Sequence, residues 1–357
     1  MAEPLKHFYN KELIESLSHQ LKSAYTSFDS ERFQEEIFSD NWDLKELKAR
    51  TTHITEVMHR FLPNNYAESI EILKQVSTYY TGFYYIFFPE YVARYGLDDF
   101  DTSILALEHF TQYSTAEYAV RPFIKKYKER MISQMELWAE SKNPHVRRVA
   151  SEGCRPRLPW AKALHEFKKN PTPIFKILEK LLNDDSESVR QSVANNLNDI
   201  SKDHPELLIN YTKIWMGKSR NTDIILKHAC RTLLKQGNPE ILRQYGYAPP
   251  NHIRVENITL QEQIKIGEHL NLEFKLTTLE KSLGRLRIEY GIDFLRQNGK
   301  SWRKIFKISY SSCPNTITFL KQHSFKVIST RKYYLGLHTI AIIVNGQELA
   351  SRHFMLL

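Results

Sequence analysis

Asn143-Pro144-His145-Val146-Arg147-Arg148-Val149-Ala150 is answered by Ser186-Glu187-Ser188-Val189-Arg190-Gln191-Ser192-Val193, with Val146 and Val189 separated by 43 residues. A looser third copy, Thr222 to Leu234, places Leu226 37 residues after Val189. Repeats of this period are helix pairs. One pair cannot bury its apolar face alone, so successive pairs stack into a continuous core with a curved surface that suits long partners.

Helical spacing extends well beyond the repeat. Val146, Val149, Ala150 and Gly153 fall at i, i+3, i+4 and i+7. The same period recurs in Ile70, Leu73, Val76 and in Leu178, Leu181, Leu182, and residues 1 to about 245 read as helix throughout. Tyr245-Gly246-Tyr247-Ala248-Pro249-Pro250-Asn251 stops the last helix, because proline lacks a backbone donor and disfavours α geometry in the residue before it. Beyond it the period is two: Ile264, Ile266; Leu270, Leu272, Phe274, Leu276; Leu286, Ile288, Tyr290; Leu337, Thr339, Ala341, Ile343. Asn298-Gly299 and Asn345-Gly346 mark tight turns between these runs. About seven short strands in about 105 residues describe an immunoglobulin-like sandwich, here without a core disulfide. The expected architecture is multidomain: an all-α HEAT-like repeat solenoid over 1–248, a linker over 249–253 and an all-β immunoglobulin-like sandwich over 254–357.

Composition agrees with two folding units, since 357 residues exceed one small domain. With 41% hydrophobic and 25% charged residues, neither a disordered nor a membrane class is indicated. Glu3, Glu12 and Glu15 interrupt any uncharged signal segment, and the aromatic run Phe83 to Phe88 is far too short to span a bilayer. A cytoplasmic, nucleoid-associated monomer with no membrane partner is expected. Cys154, Cys230 and Cys313 are odd in number and widely spaced, without zinc-ligand neighbours, and read as reduced structural thiols. The net charge of +9 is segregated. Residues 251–357 carry 16 Lys and Arg against 8 Asp and Glu, a surplus of +8, whereas residues 1–250 carry 34 against 33. Such a surplus suits a polyanion, although many basic proteins never touch nucleic acid.

The chemistry-bearing candidates cluster in Arg147-Arg148-Val149-Ala150-Ser151-Glu152-Gly153-Cys154-Arg155-Pro156-Arg157-Leu158-Pro159-Trp160. Arg148, Glu152 and Arg155 share a helix face, either as a solvated ion-pair stripe or as part of a site. Trp160 follows two prolines, as a core residue or as a ring fixed beside the charges. A shift of 43 residues from Glu152 reaches Asn195, with Asp199 one turn further, and a shift of 35 in the other direction reaches Glu117. Glu117 also ends Ser114-Thr115-Ala116-Glu117, a possible capping box. Lys227, His228 and Arg231 lie near one face of the third repeat, as phosphate ligands or as solvated charges. On the strands, Arg285, Arg287, Lys300, Arg303, Lys304, Lys307 and Arg331-Lys332 are the candidate phosphate contacts.

The run R-R-V-A-S-E-G-C-R-P-R-L-P-W, the upstream S-T-A-E-Y-A-V-R-P-F (Ser114 to Phe123) and the opening MAEPLKHFYNKELI resemble the AlkC branch of the HEAT-like alkylpurine DNA glycosylases. The likeness covers the helical domain, and the last third resembles the immunoglobulin-like extension of some members. The resemblance implies a monofunctional glycosylase of base excision repair acting on double-stranded DNA. It implies removal of cationic bases, chiefly 3-methyladenine and 3-methylcytosine, without full base flipping. It assigns Glu117, Glu152, Trp160 and Asp199 to catalysis and sets Arg148 and Arg155 close to the DNA, with Arg157 counted beside them. No metal or cofactor is implied. A non-catalytic HEAT scaffold binding nucleic acid or protein is the competing expectation, and a metal-dependent nuclease is weaker because no carboxylate–histidine cluster has ligand spacing.

Overall fold

Asn143 starts the helix Pro144–Gly153: its Oδ1 accepts from the His145 amide at 2.9 Å, and Pro144 takes the first turn, where its missing N–H removes no helical bond. The computed structural model describes residues 4–39, 41–313, 315–328 and 331–357, apart from the side chains of 309–313, so the Cys313 thiol lies outside the described residues. Arg147 Nη1 donates to the carbonyls of Ser141 and Lys142 at 2.9 and 3.0 Å. Arg190 Nη1 does the same to Asp184 and Asp185, 43 residues on, at 2.8 Å each. The repeat read from the valines is therefore a repeat of hydrogen bonding, in which one arginine closes the loop before its own helix. The rest of the Arg147 guanidinium pairs with Asp184 at 2.6 and 2.9 Å and links one repeat to the next.

The helix Glu187–Ile200 packs between Pro144–Gly153 and Arg220–Ala229. Its buried amides satisfy carbonyls near the ends of both neighbours: Asn196 Nδ2 donates to the Ser151 carbonyl and Asn198 Nδ2 to the Ala229 carbonyl, each at 2.8 Å. Ile70, Leu73 and Val76 are fully buried in the helix Tyr66–Ser77. Leu181 and Leu182 are buried just past the end of Thr172–Lys180. Among the described residues no helix is long and apolar enough to cross a membrane.

The chain divides into two compact units, Met1–His204 with Trp215–Ala229, and Pro205–Ile214 with Cys230–Leu357. Among its described residues the second contains eight strands: β1 (Ile253–Leu260), β2 (Gln263–Ile264), β3 (His269–Thr278), β4 (Gly284–Leu295), β5 (Ser301–Cys313), β6 (Thr316–Ser324), β7 (Gly336–Val344) and β8 (Gln347–Leu356). They form a three-stranded sheet, β1-β3-β6, and a five-stranded sheet, β2-β8-β7-β4-β5. This is an immunoglobulin-like arrangement with one strand more than the seven expected, the two-residue β2 pairing parallel with β8. Leu270, Leu272, Phe274 and Leu276 of β3 meet Leu286, Ile288, Tyr290, Ile292 and Phe294 of β4 in one core. Asn345 and Gly346 have φ of 45° and 81°, the pair of left-handed residues that a two-residue hairpin needs.

Two sequence expectations for the sandwich are corrected. On β7 the stripe Leu337, Thr339, Ala341, Ile343 does not face the core. Ile340, Ile342 and Val344 do, while Leu337 is 57% exposed. Arg287, expected on the surface, is 3% exposed and donates from Nε to Glu289 Oε2 at 2.8 Å, with a second, shorter contact between the same groups. The cause is common to both. Around Ala341, Ile343, Arg287 and Glu289 the outer face of this sheet is itself buried, so alternation there no longer separates core from solvent. The helical hairpin Arg231–Lys235 and Pro239–Gln244 supplies cover within the same unit: a Cβ on Gly237 would lie 2.5 Å from the Gly346 carbonyl oxygen. The Arg303 side chain supplies more. It runs over Gly291, whose missing Cβ would lie 3.2 Å from Arg303 Cδ, and pairs with Asp293 at 2.7 Å and Glu348 at 2.6 Å.

Candidate functional site

Gly153 ends the helix Pro144–Gly153 in a place where a Cβ would meet Val120 Cγ2 at 2.4 Å, so the helix Val120–Lys126 approaches closely. That approach brings Arg121 under the following loop. Its guanidinium donates to the carbonyls of Gly153 and Arg155 at 2.9 Å each and of Lys162 at 2.7 Å, winding residues 153–162 around one buried cation. Burial lowers its pKa to about 10, still far above neutrality. At the tip of the loop Trp160 has φ of 62°, a left-handed setting that costs a side-chain-bearing residue about 1–3 kcal/mol. Its ring is 60% exposed and lies 6.1 Å from that of Phe83. The Trp160 carbonyl accepts from Lys48 Nζ.

The carboxylates lie inside. Glu152 is 5% and Asp199 2% exposed, and one guanidinium joins them: Arg155 Nη1 reaches Glu152 Oε1 at 2.5 Å and Nε reaches Asp199 Oδ2 at 2.9 Å. Lys202 Nζ holds the other oxygen of Asp199 at 3.0 Å. Burial works against the Arg155 charge, but the two carboxylates more than offset it and raise its pKa. Glu117, also buried, pairs with Arg148 Nη2 at 2.8 Å and accepts from the Thr115 hydroxyl at 2.8 Å. Those bonds replace the capping box, and Glu117 sits in the turn before Val120–Lys126. Tyr118 joins the two groups electrostatically. Burial first, then the charges of Glu117 and Glu152, push its hydroxyl up to about 12. A cleft of about 300 Å³ opens here, lined by Gly82, Phe83, Ser114, Thr115, Glu117 and Arg148. A second cavity of about 260 Å³ shares Thr115 and includes Lys48, Thr52, Glu90 and Tyr118.

The remaining candidates are dispersed. Asn195, where the repeat arithmetic lands, sits beside His228, whose Nε2 is 3.3 Å from Asn195 Oδ1 and 3.1 Å from Gln191 Nε2. Asp199 reaches Arg155 instead. Arg155, expected to face DNA, has only 7% of its surface exposed and bridges the carboxylates. Arg148 is half-buried against Glu117. Arg157 grips Asp203 through Nε at 3.1 Å and Nη2 at 2.7 Å and lowers its carboxyl pKa. Lys227 is exposed; Arg231 is half-buried and belongs to the second unit. In that unit Lys304 is half-buried, with its ammonium 5.5 Å from the Phe306 ring. Among the described residues no group of three or more His, Cys, Asp and Glu is placed to hold a metal ion. Sequence reasoning missed Lys48, Phe83, Thr115, Tyr118, Arg121 and Lys202. Thr115, Tyr118 and Arg121 stand in the quoted run Ser114 to Phe123, but no local pattern marks Lys48 or Phe83.

Comparisons with known proteins fit this layout. Residues 92–233 match the family model described as DNA alkylation repair enzyme, and residues 254–357 match the C-terminal Ig-like domain of the uncharacterised protein YhaZ. The uncharacterized protein YhaZ of Bacillus subtilis is 44% identical over 353 residues, 98% of each chain. The solved structure of the Pseudomonas fluorescens alkylpurine DNA glycosylase AlkC, bound to DNA containing an abasic site analog, is 33% identical. It matches with a TM-score of 0.95 over 99% of this chain and 100% of that one.

Proposed function

The chain belongs to the DNA alkylation repair enzyme family, and from that premise we propose that it is a monofunctional DNA glycosylase that excises cationic alkylated bases from double-stranded DNA. The substrates are 3-methyladenine and 3-methylcytosine, removed without full base flipping, and the product is an abasic site. The observation that carries this reading is the buried pair Glu152 and Asp199 held by Arg155, together with the buried Glu117 paired to Arg148 and the exposed Trp160 in the loop that follows the Glu152 helix.

An N3-alkylated base is positively charged and leaves as a neutral molecule, so no strong general acid is required. Positive charge instead builds on the deoxyribose as the N-glycosidic bond lengthens. Fixed carboxylates in a water-poor site stabilise that charge without reorganising, and one of them orients the attacking water. The Trp160 face adds a cation–π attraction of about 0.5–2 kcal/mol for the charged base or sugar. Arg155 and Arg148 hold the carboxylates in place, Arg155 gripping Glu152 and Asp199 and Arg148 gripping Glu117. A strand-cleaving lyase step is not part of the proposal. Two lysines that reach the site are engaged, Lys48 with the Trp160 carbonyl and Lys202 with Asp199.

The test is incubation with defined duplex oligonucleotides carrying each lesion, in excess EDTA, with detection of the free base. Release of free 3-methyladenine and 3-methylcytosine, with strand breaks only after alkali or heat, is the expected result. No release from any lesion leaves a scaffold. Breaks before alkali, lost on chelation and restored by magnesium or manganese, indicate a nuclease.

A further inference from the structure

We propose that Lys48 is a positioning residue for base excision: by holding the Trp160 carbonyl from 112 residues away in sequence, it keeps the indole in its left-handed setting beside Phe83. The proposal rests on the glycosylase reading for its catalytic consequence and on the geometry alone for its structural one.

Residues held in a sparsely populated backbone region stay there only when their surroundings over-determine them. The Trp160 ring cannot be the cause, because it is 60% exposed. Arg121 binds carbonyls at both ends of the loop, Gly153 and Arg155 on one side and Lys162 on the other, but none at its tip. Inside the loop the Ala161 amide bonds the Leu158 carbonyl at 3.2 Å and the Leu164 amide the Pro156 carbonyl at 3.1 Å. Lys48, in the helix Leu47–Phe61, supplies a hold at the tip itself. Lys48 is also fixed on its other side: its ammonium lies 4.8 Å from the centre of the Tyr118 ring, and Tyr118 directly follows Glu117. One ammonium thus ties the loop that carries the indole to the turn that carries a buried carboxylate. Partial desolvation lowers the Lys48 pKa, opposed by Glu90, as expected for an ammonium engaged by protein rather than water.

The experiment compares Lys48→Met, which keeps the aliphatic stem but removes the donor, with Lys48→Arg, which keeps a donor and a cation. Single-turnover excision, affinity for the same lesion-bearing duplex and hydrogen exchange of the Ala161 and Leu164 amides are measured in each, and again with Trp160→Ala. In Lys48→Met the rate is expected to fall about tenfold or more at unchanged affinity, as misplacing a catalytic group does. The two amides exchange faster, and Lys48→Arg restores both properties. With Trp160→Ala already present, Lys48→Met has little further effect, the non-additivity of residues acting through one another. Unchanged exchange in Lys48→Met, or a full-sized rate effect without the indole, overturns the proposal. Weaker affinity with a flatter salt dependence also overturns it and assigns Lys48 to a DNA phosphate. If the unaltered protein excises nothing, the glycosylase reading fails, and the exchange measurements alone decide whether Lys48 holds the loop.

Discussion

At Glu152 the charge and the shape of the side chain can be separated. Glu152→Gln keeps an oxygen for Arg155, which also retains Asp199, so the site loses a charge while the fold loses only about 1–2 kcal/mol, less than breaking an isolated buried pair. Excision is expected to fall about 100-fold or more with DNA affinity largely preserved, as when one preorganised electrostatic group is removed. A Glu152→Gln enzyme as active as the parent would take Glu152 out of the site. Trp160 tests the opposite balance. Its φ of 62° is relaxed for glycine, and its ring has few contacts to lose at 60% exposure. Trp160→Gly should therefore leave stability level or raise it by about 1 kcal/mol, while excision falls with the loss of the indole. Unfolding midpoint and excision rate measured on one preparation check this, and a matched fall in both would show the ring to be a packing residue. Arg155 shows what residue type alone cannot reveal. From the sequence Arg155 reads as a phosphate contact, yet here it bridges two buried acids, a distinction that depends on packing and not on composition.

Among the elements, the helices and the repeat were legible because each has one buried face, and the 43-residue period reappears as the paired loop closures by Arg147 and Arg190. β3 was legible for the same reason, with Leu270, Leu272, Phe274 and Leu276 all facing the core. β7 and the Arg287 segment of β4 were not. Over these segments both faces of the sheet are buried, and a period of two carries no sign of which face is which. The juxtaposition of Lys48 with Trp160 was not legible either, since nothing local to Leu47–Phe61 points to a loop 112 residues away. The sandwich also carries its own pH dependence. His323 is 8% exposed, with Nδ1 2.9 Å from the Tyr290 hydroxyl, and its pKa is lowered from 6.5 to about 4, first by burial and then by Arg331, Lys304 and Lys321. The folded protein keeps this imidazole neutral where the unfolded chain protonates it. Its contribution to stability is full above about pH 6.5 and is lost as pH falls toward about 4. Denaturant midpoints of the β unit at pH 7 and pH 5 should differ in the unaltered protein. In His323→Phe that difference should shrink, whatever the substitution does to stability at pH 7. An equal difference in both would place the titrating group elsewhere.

On the scale of the whole molecule the decisive feature is uneven charge. Residues 251–357 carry 16 basic against 8 acidic side chains, and the structure sharpens the surplus. Arg287 and Glu289 neutralise each other inside, and Arg303 is taken up by Asp293 and Glu348. Those pairs engage two basic and three acidic side chains, so they take more negative than positive charge out of this stretch. If its partner is DNA, each neutralised phosphate contributes a slope of about −0.9 in log affinity against log salt. The structure also determines how this must be tested. Removing residues 252–357 would break the bond from Asn345 Nδ2 to the Ala248 carbonyl and strip Gly346 from Gly237 and Leu242, so a truncated chain would mix lost binding with lost cover. Replacing Lys300, Lys304 and Lys332 by Gln leaves those contacts alone. The combined variant should bind lesion-bearing duplex more weakly at low salt and show a flatter slope, by up to about 0.9 for each phosphate contact removed. Single-turnover excision at saturating protein should remain near that of the parent, because the carboxylates and the indole are untouched. An unchanged slope with undiminished affinity would mean that these lysines serve the sandwich itself, keeping exposed strand edges from pairing with other chains, and that the +1 carried by residues 1–250 is deployed locally enough to hold DNA without them.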